Sequence, residues 1–343
     1  MVGATIIVST FFLTGGCSKD SGDSESDLIG NWTRASDFDG DARSEAVTFV
    51  IDDKAYISTG ATDRSRFRDL WEFSTTRGYW QQKADLPVSA NARSSAAGFA
   101  IGSKGYLGTG YDGANYLNDF WEYDPASNQW TQKDNFPGSA RRDASGFAIG
   151  NYGYITCGYS DGYLKDLWQF NPAATSGLQW QQKASLGGSS GGGIKRMAAT
   201  VFVLTDRAYL VSGNNNGEIL KDCWMYNPST DEWTEKRKIY DYSSESYDDN
   251  YTSIPRQNGV AFVMNDKAYL TTGENSSVIS TTWEYNPSSD LWTEKTGFEG
   301  TARTGAVAFA INNRGFVITG RNGSSIMDNA YEFHPTEEKV DGD

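Results

Sequence analysis

The segment Gly105–Lys133 reads GYLGTGYDGANYLNDFWEYDPASNQWTQK, with two tryptophans nine residues apart, Trp121 and Trp130, and a turn at Pro125 between them. A Tyr-containing strand ending on Gly110 precedes them. This arrangement recurs along the chain. The second tryptophan stands at Trp80, Trp130, Trp180, Trp233 and Trp292, in steps of 50, 50, 53 and 59 residues. The first stands at Trp71, Trp121, Trp168, Trp224 and Trp283, with Tyr331 in a sixth copy. Each copy opens on an arginine six residues before a phenylalanine: Arg43, Arg93, Arg141, Arg196, Arg256 and Arg303. A glycine closes the following strand at Gly60, Gly110, Gly158, Gly213, Gly273 and Gly320. Agreement at this many positions marks an internal repeat, and repeats must be read before anything else in a sequence.

Each copy reads as four short strands. SSAAGFAI (94–101) is small and apolar, as a tightly packed inner strand requires. Two-residue turns follow at Asp52-Asp53, Gly102-Ser103, Gly150-Asn151, Thr205-Asp206, Asn265-Asp266 and Asn312-Asn313. Most of these residues tolerate the positive φ of primed hairpin turns. The second strand, KGYLGTG (104–110), runs into a loop of variable sequence, and the third, NDFWEYDP (118–125), alternates aromatic and polar residues. Pro125, Pro172, Pro228, Pro287 or Pro335 then presets a turn into an outer strand such as QWTQK (129–133). Four strands in about 50 residues make a propeller blade. The sixth copy has no outer tryptophan, whereas Trp32 stands 11 residues before Arg43, close to the 13 between Trp80 and Arg93. The expected fold is therefore all-β: a six-bladed propeller over 30–340, closed by an N-terminal strand containing Trp32. Closure removes sheet edges that would pair with other chains.

These units resemble kelch repeats, of the variant GTGYDG…DFWEYDP…W found in bacterial lipoproteins of unassigned activity, over about residues 30–340. The usual Gly-Gly at the end of the second strand is Thr-Gly or Ser-Gly here, and Cys157-Gly158 in the third unit. The resemblance implies a scaffold that binds proteins, sugars or cofactors, and such a fold does not by itself set a function. Galactose oxidase also has a kelch propeller, but its copper is held by two histidines and two tyrosines. This chain has one histidine, His334, at a position where other units carry a turn asparagine. That copper site, a His-rich zinc site and a Ser-His-Asp nucleophile independent of His334 are thereby excluded, and no cofactor is expected.

Aromatic residues make up 14% of the chain and glycine 37 of its 343 residues, which suits short strands and many tight turns. The net charge of −14 argues against nucleic acid and against polybasic lipid binding. No apolar run reaches the ~20 residues of a membrane helix. Residues 1–16 are uncharged and end at Cys17, followed by a Ser/Asp/Gly linker over 17–29. This resembles a lipoprotein signal peptide with Cys17 as the lipidated residue. CSKDS (17–21) resembles the surface-export signal of some Gram-negative lipoproteins. The expected location is the outer membrane or cell surface, lipid-anchored. Cys157 and Cys223 lie at non-equivalent blade positions and are expected to be buried free thiols.

The six arginines should ring one mouth of the channel, where each needs a carboxylate or a ligand. Neighbouring loops offer Glu45 and Asp143 as partners; alternatively, two or three arginines grip an anionic or hydroxyl-rich ligand. Asp69, Asp119, Asp166 and Asp222, two residues before the third-strand tryptophans, read as ties between a loop and its own backbone. Glu72, Glu122, Glu284 and Glu332 read as cross-strand partners of the lysines that follow the outer-strand tryptophans, Lys83, Lys133, Lys183, Lys236 and Lys295. The loops after the second strands differ between blades and carry Tyr111, Tyr116, Tyr159 and Tyr163, and the long link of the fourth blade carries Tyr247. Variable aromatic loops on a regular scaffold are where recognition resides. The expected function is a binding module for glycan or protein, with the sugar mutarotases or epimerases related to sialic-acid mutarotases as the enzymatic alternative. Ring opening needs only a positioned acid and base.

Overall fold

The computed structural model describes Met1, residues 28–188 and residues 191–342. Apart from Met1, the expected signal segment falls outside the described residues, as do Cys17 and nearly all of the linker.

In the inner strands, buried and half-buried residues alternate, with one departure at Val260. In Val47–Ile51, Val47, Phe49 and Ile51 are buried and Thr48 and Val50 are not. That period of two creates the inner strand. Blade 1 continues through Lys54–Ser58, Leu70–Ser74 and Tyr79–Lys83. Blades 2 to 5 repeat the order, with inner strands Ala97–Ile101, Ser145–Ile149, Thr200–Leu204 and Val260–Met264. Inner strands of neighbouring blades pack side by side, and the sixth meets the first. The primed turns form as read. Both central residues have positive φ in blades 4 to 6, and only the first does in blades 1 to 3.

The phenylalanine six residues after each arginine explains part of the repeat. Phe49 lies against Gly105 of the next blade, Phe99 against Gly153, and Phe262 against Gly315. A Cβ at these glycines would stand 2.0–2.3 Å from the ring. Where the second strand carries alanine instead, as at Ala55, Ala208 and Ala268, the phenylalanine packs in one core cluster with it. Small residues in one blade thus seat a large ring from its neighbour, so the hydrophobic core is continuous between blades.

Blade 6 consists of Val307–Ile311, Arg314–Ile318, Ala330–Glu338 and, from the other end of the chain, Ile29–Ala35. Trp32 pairs with Phe333, is 1% exposed, and its indole donates to Thr296 O of blade 5 at 3.3 Å. Trp130, Trp180 and Trp233 donate in the same way to the link leaving the preceding blade. Trp32 therefore fills the outer-strand place of the sixth blade. The expected turn at His334 and Pro335 does not form. Both residues lie inside the nine-residue strand Ala330–Glu338, and His334 Nε2 meets Thr33 Oγ1 at 2.9 Å. With the outer strand supplied by the N-terminus, blade 6 needs no hairpin there. Cys157 and Cys223 are free and fully buried. Burial pushes the Cys157 thiol up to about 11 and raises that of Cys223 as well. The cross-strand Glu–Lys pairs form in three blades, with Lys83–Glu72, Lys133–Glu122 and Lys295–Glu284 at 3.3–3.5 Å, whereas Lys183 and Lys236 meet Asp231 and Asp290, and Glu332 meets Arg314.

Candidate ligand-binding face at the channel mouth

The end of each second strand, the link between blades and the repeated arginine come together at one face. Backbone bridges between Ser44 and Ala61, Ser94 and Tyr111, and Arg142 and Tyr159 fix this arrangement in blades 1 to 3. Two closed circles of hydrogen bonds then run around the channel. In the outer circle the closing glycine of each blade donates to the arginine carbonyl of the next, from Gly60 to Arg93 O and finally from Gly320 back to Arg43 O, at 2.7–3.0 Å. In the inner circle the residue two after each arginine donates to its counterpart in the preceding blade: Ser95 to Glu45, Asp143 to Ser95, and onward through Ala198, Asn258 and Gly305, at 2.7–3.4 Å. These inner residues have φ of 51–62°. Their left-handed backbone turns each chain into the channel and leaves their side chains at its mouth.

The arginines do not face a ligand. All six are fully buried, and each Nη1 donates to the carbonyl at the end of its own blade's second strand at 2.8–3.1 Å. Those carbonyls belong to Thr59, Thr109, Cys157, Ser212, Thr272 and Thr319, whose φ of 54–64° is strained for residues other than glycine. The guanidinium holds the strained carbonyl in place, which is how these residues stand where kelch units usually carry glycine. In blades 1 to 4 the counterions are Asp69, Asp119, Asp166 and Asp222, each bidentate at 2.5–2.8 Å. Each of these aspartates also accepts the third-strand indole N–H at 2.7–2.8 Å. Neither Glu45 nor Asp143 is an arginine-ring partner, and the four aspartates do more than tie their own loops. The spacing of aspartate two before tryptophan carried this signal, because it places carboxylate and indole on one side of the strand entry. Thr281 and Asn329 occupy the aspartate place in blades 5 and 6. Burial there lowers Arg256 to about 9 and Arg303 to about 10.

What remains open at the mouth is chemically lopsided. Glu45, Ser95 and Asp143 project from blades 1 to 3, against Ala198, Asn258 and Gly305 from blades 4 to 6, around a space of about 180 Å³. Ser95 Oγ donates to Glu45 Oε2 at 2.8 Å, and Arg142 Nη1 meets Asp143 Oδ2 at 2.7 Å. Burial, reinforced by the Glu45 carboxylate, outweighs Arg142 and Ser95 and pushes Asp143 up to about 6. An acid raised from 3.8 to about 6 favours the native state fully below pH ~4 and loses that contribution as pH rises through 6. At neutral pH the loss is about 3 kcal/mol. Asp143→Asn suits the positive φ of 53° and should flatten stability between pH 4 and 7. Urea denaturation at both values checks this, and an unchanged slope would show that Asp143 titrates normally.

The loop tyrosines continue the site outward. Tyr111 and Tyr116, Tyr116 and Tyr159, and Tyr159 and Tyr163 form successive ring contacts with centroids 5.2–6.0 Å apart. Arg66 lies over Tyr111 at 4.9 Å and Arg142 over Tyr159 at 5.5 Å. A cavity of about 350 Å³ opens at the near end of this row, lined by Glu45, Arg66, Ser94, Ser95, Tyr111, Tyr116 and Arg142. Four of the five expected tyrosines are thus brought together. Tyr247 is not among them, for its ring packs on Arg237 and Tyr251 in the link between blades 4 and 5. In the same link, Asp241, Asp248 and Asp249 place carboxylate oxygens within 4.8 Å of one another. Asp248 is already bound to Ser243 and to the Tyr242 amide.

Residues 2–190, more than half of the sequence, match the family model of the KLHDC2/KLHL20/DRC7 Kelch-repeats domain, and residues 195–238 match the Kelch motif. The chain belongs to the kelch-repeat family. No curated protein shows significant similarity to it. Within this kelch propeller, six blades share one scaffold, while the row of mouth tyrosines comes from the loops of blades 2 and 3.

Proposed function

We propose that this kelch propeller is a surface-displayed binding module that takes a glycan at the mouth of blades 1 to 3. The row of four half-buried tyrosines leading from the 350 Å³ cavity supports this reading. Its rings offer apolar faces to a sugar, and Glu45, Ser95 and Arg142 offer hydrogen-bonding groups beside them. A protein partner needs ~800 Å² of complementary surface on each side. Tyr116→Ala should leave the melting temperature within about 2 °C and weaken a glycan found by array screening by about 1 kcal/mol or more, five-fold or more in Kd. Unchanged binding in Tyr116→Ala and Tyr111→Ala would move the site off this face.

Display at the surface rests on Cys17 and the Ser-Lys-Asp that follows it. Cys17→Ala should shift the protein from the membrane fraction to the soluble one, because the acyl chains are then lost. A wild-type chain without lipid by mass spectrometry contradicts the anchor.

The Glu45–Ser95–Asp143 constellation favours a second reading, in which the mouth interconverts sugar anomers. A carboxylic acid held near pH 6 donates the proton that ring opening needs, and the neighbouring carboxylate accepts one. Saturation-exchange NMR on reducing sugars separates the two. No acceleration over buffer leaves a binder, and an acceleration lost in Asp143→Asn makes it an enzyme.

A further inference from the structure

We infer that the glycan bound at this mouth carries a carboxylate, and that Arg66 recognises it; this rests on the reading that the tyrosine row binds sugar. The chain is acidic overall, yet two arginines and one glutamate line the 350 Å³ cavity. Most of the charges in and around it are already committed. Arg142 pairs with Asp143, and Glu45 accepts from Ser95. Asp112 is held by Asn91 and by the amides of Ala114 and Asn115. Arg66 is different. Its Nε is buried without a hydrogen-bond partner, and among the described residues no carboxylate lies within ion-pair distance of it.

The mounting of Arg66 is fixed. Its backbone bridges Ala61, its guanidinium lies 4.9 Å above the Tyr111 ring, and a Cβ at Gly113 would stand 2.7 Å from Nη1. Gly113, with φ of 106°, therefore leaves room for the guanidinium. A planar guanidinium in a cavity wall, with no carboxylate beside it, matches an incoming carboxylate through two parallel hydrogen bonds. Tyr116 and Arg142 line the same cavity. A sugar ring stacked on the tyrosines with its carboxylate toward Arg66 satisfies both the aromatic faces and the open cation. Neutral sugars satisfy only the first.

Calorimetry with the full chain tests this, using an α-1,4-linked galacturonate trimer, a neutral galactose trimer, a sulfated galactose trimer and hexaglutamate as probes. The galacturonate trimer should bind at least ten-fold more tightly than the neutral trimer. Arg66→Ala should abolish that preference, and Arg66→Lys should restore part of it, since a point charge lacks the fork. Equal binding of acidic and neutral trimers, still weakened by Tyr116→Ala, overturns the inference and keeps the glycan reading. Tighter binding of the sulfated trimer overturns the choice of carboxylate. Hexaglutamate bound as tightly as galacturonate overturns the sugar, and no binding of any sugar by the folded protein overturns both.

Discussion

Removal of residues 1–36 should leave a protein that aggregates or melts far below the intact chain. The cut takes away Ile29–Ala35, the outer strand of blade 6, and uncovers the nine-residue edge of Ala330–Glu338. An unpaired edge of that length is a template for pairing with other molecules. It also removes Trp32, which lies 4.6 Å from Phe333 and 5.0 Å from Phe298 between ring centroids. Loss of a buried tryptophan alone costs about 3–5 kcal/mol, a large share of the ~5–15 kcal/mol that separates native from unfolded domains. Trp32→Ala isolates this packing contribution, and the deletion adds the strand pairing. Light scattering and thermal melting of both variants measure the two parts. A truncated chain that stays monomeric with the wild-type melting temperature would mean that blade 6 does not depend on its N-terminal strand.

The second large effect is expected at the buried arginines. Asp119→Ala leaves Arg93 fully buried with carbonyl partners only, Asn91 O at 3.0 Å and Thr109 O at 3.1 Å, and strips the indole of Trp121 of its acceptor. Breaking a buried pair from one side costs about 3–5 kcal/mol, because an uncompensated charge stays inside. Urea denaturation should show this loss with an unchanged m-value, and with little change in ligand affinity at the tyrosine row. A loss below ~1 kcal/mol would show that backbone carbonyls suffice to hold the guanidinium. Blades 5 and 6 supply the converse. Among the described residues, Arg256 donates to Thr281, to Ser253 and to other carbonyls but to no carboxylate, and neither Arg303 Nη2 nor Asn329 Oδ1 has a hydrogen-bond partner. Asn329→Asp should therefore stabilise the protein by about 1–3 kcal/mol, as the carboxylate does in the first four blades.

The amino-acid sequence by itself determined the blade. The two-residue turns, the alternation in Val47–Ile51 and the spacing of Trp71 and Trp80 are local consequences of φ preference and of a side-chain period of two, and six copies leave little freedom in reading them. Even the closing strand was legible, because Trp32 stands before Arg43 much as Trp80 stands before Arg93. His334 and Pro335 were misread as a turn because the repeat alone says nothing of where a circular permutation has moved the hairpin. The site was far less legible. The repeated arginines look like a ring of free cations along the chain, and only the tertiary structure decided that Asp69, Asp119, Asp166 and Asp222 neutralise four of them out of solvent's reach. It also decided that Glu45, Ser95 and Asp143, about fifty residues apart in sequence, share one mouth, and that four tyrosines from two loops form one row while Tyr247 lies elsewhere. Strand periodicity is written in neighbouring residues, but each arginine's carboxylate comes from 25 or 26 residues further on and meets it only when the blade folds, while the groups of the shared mouth meet only when the ring closes.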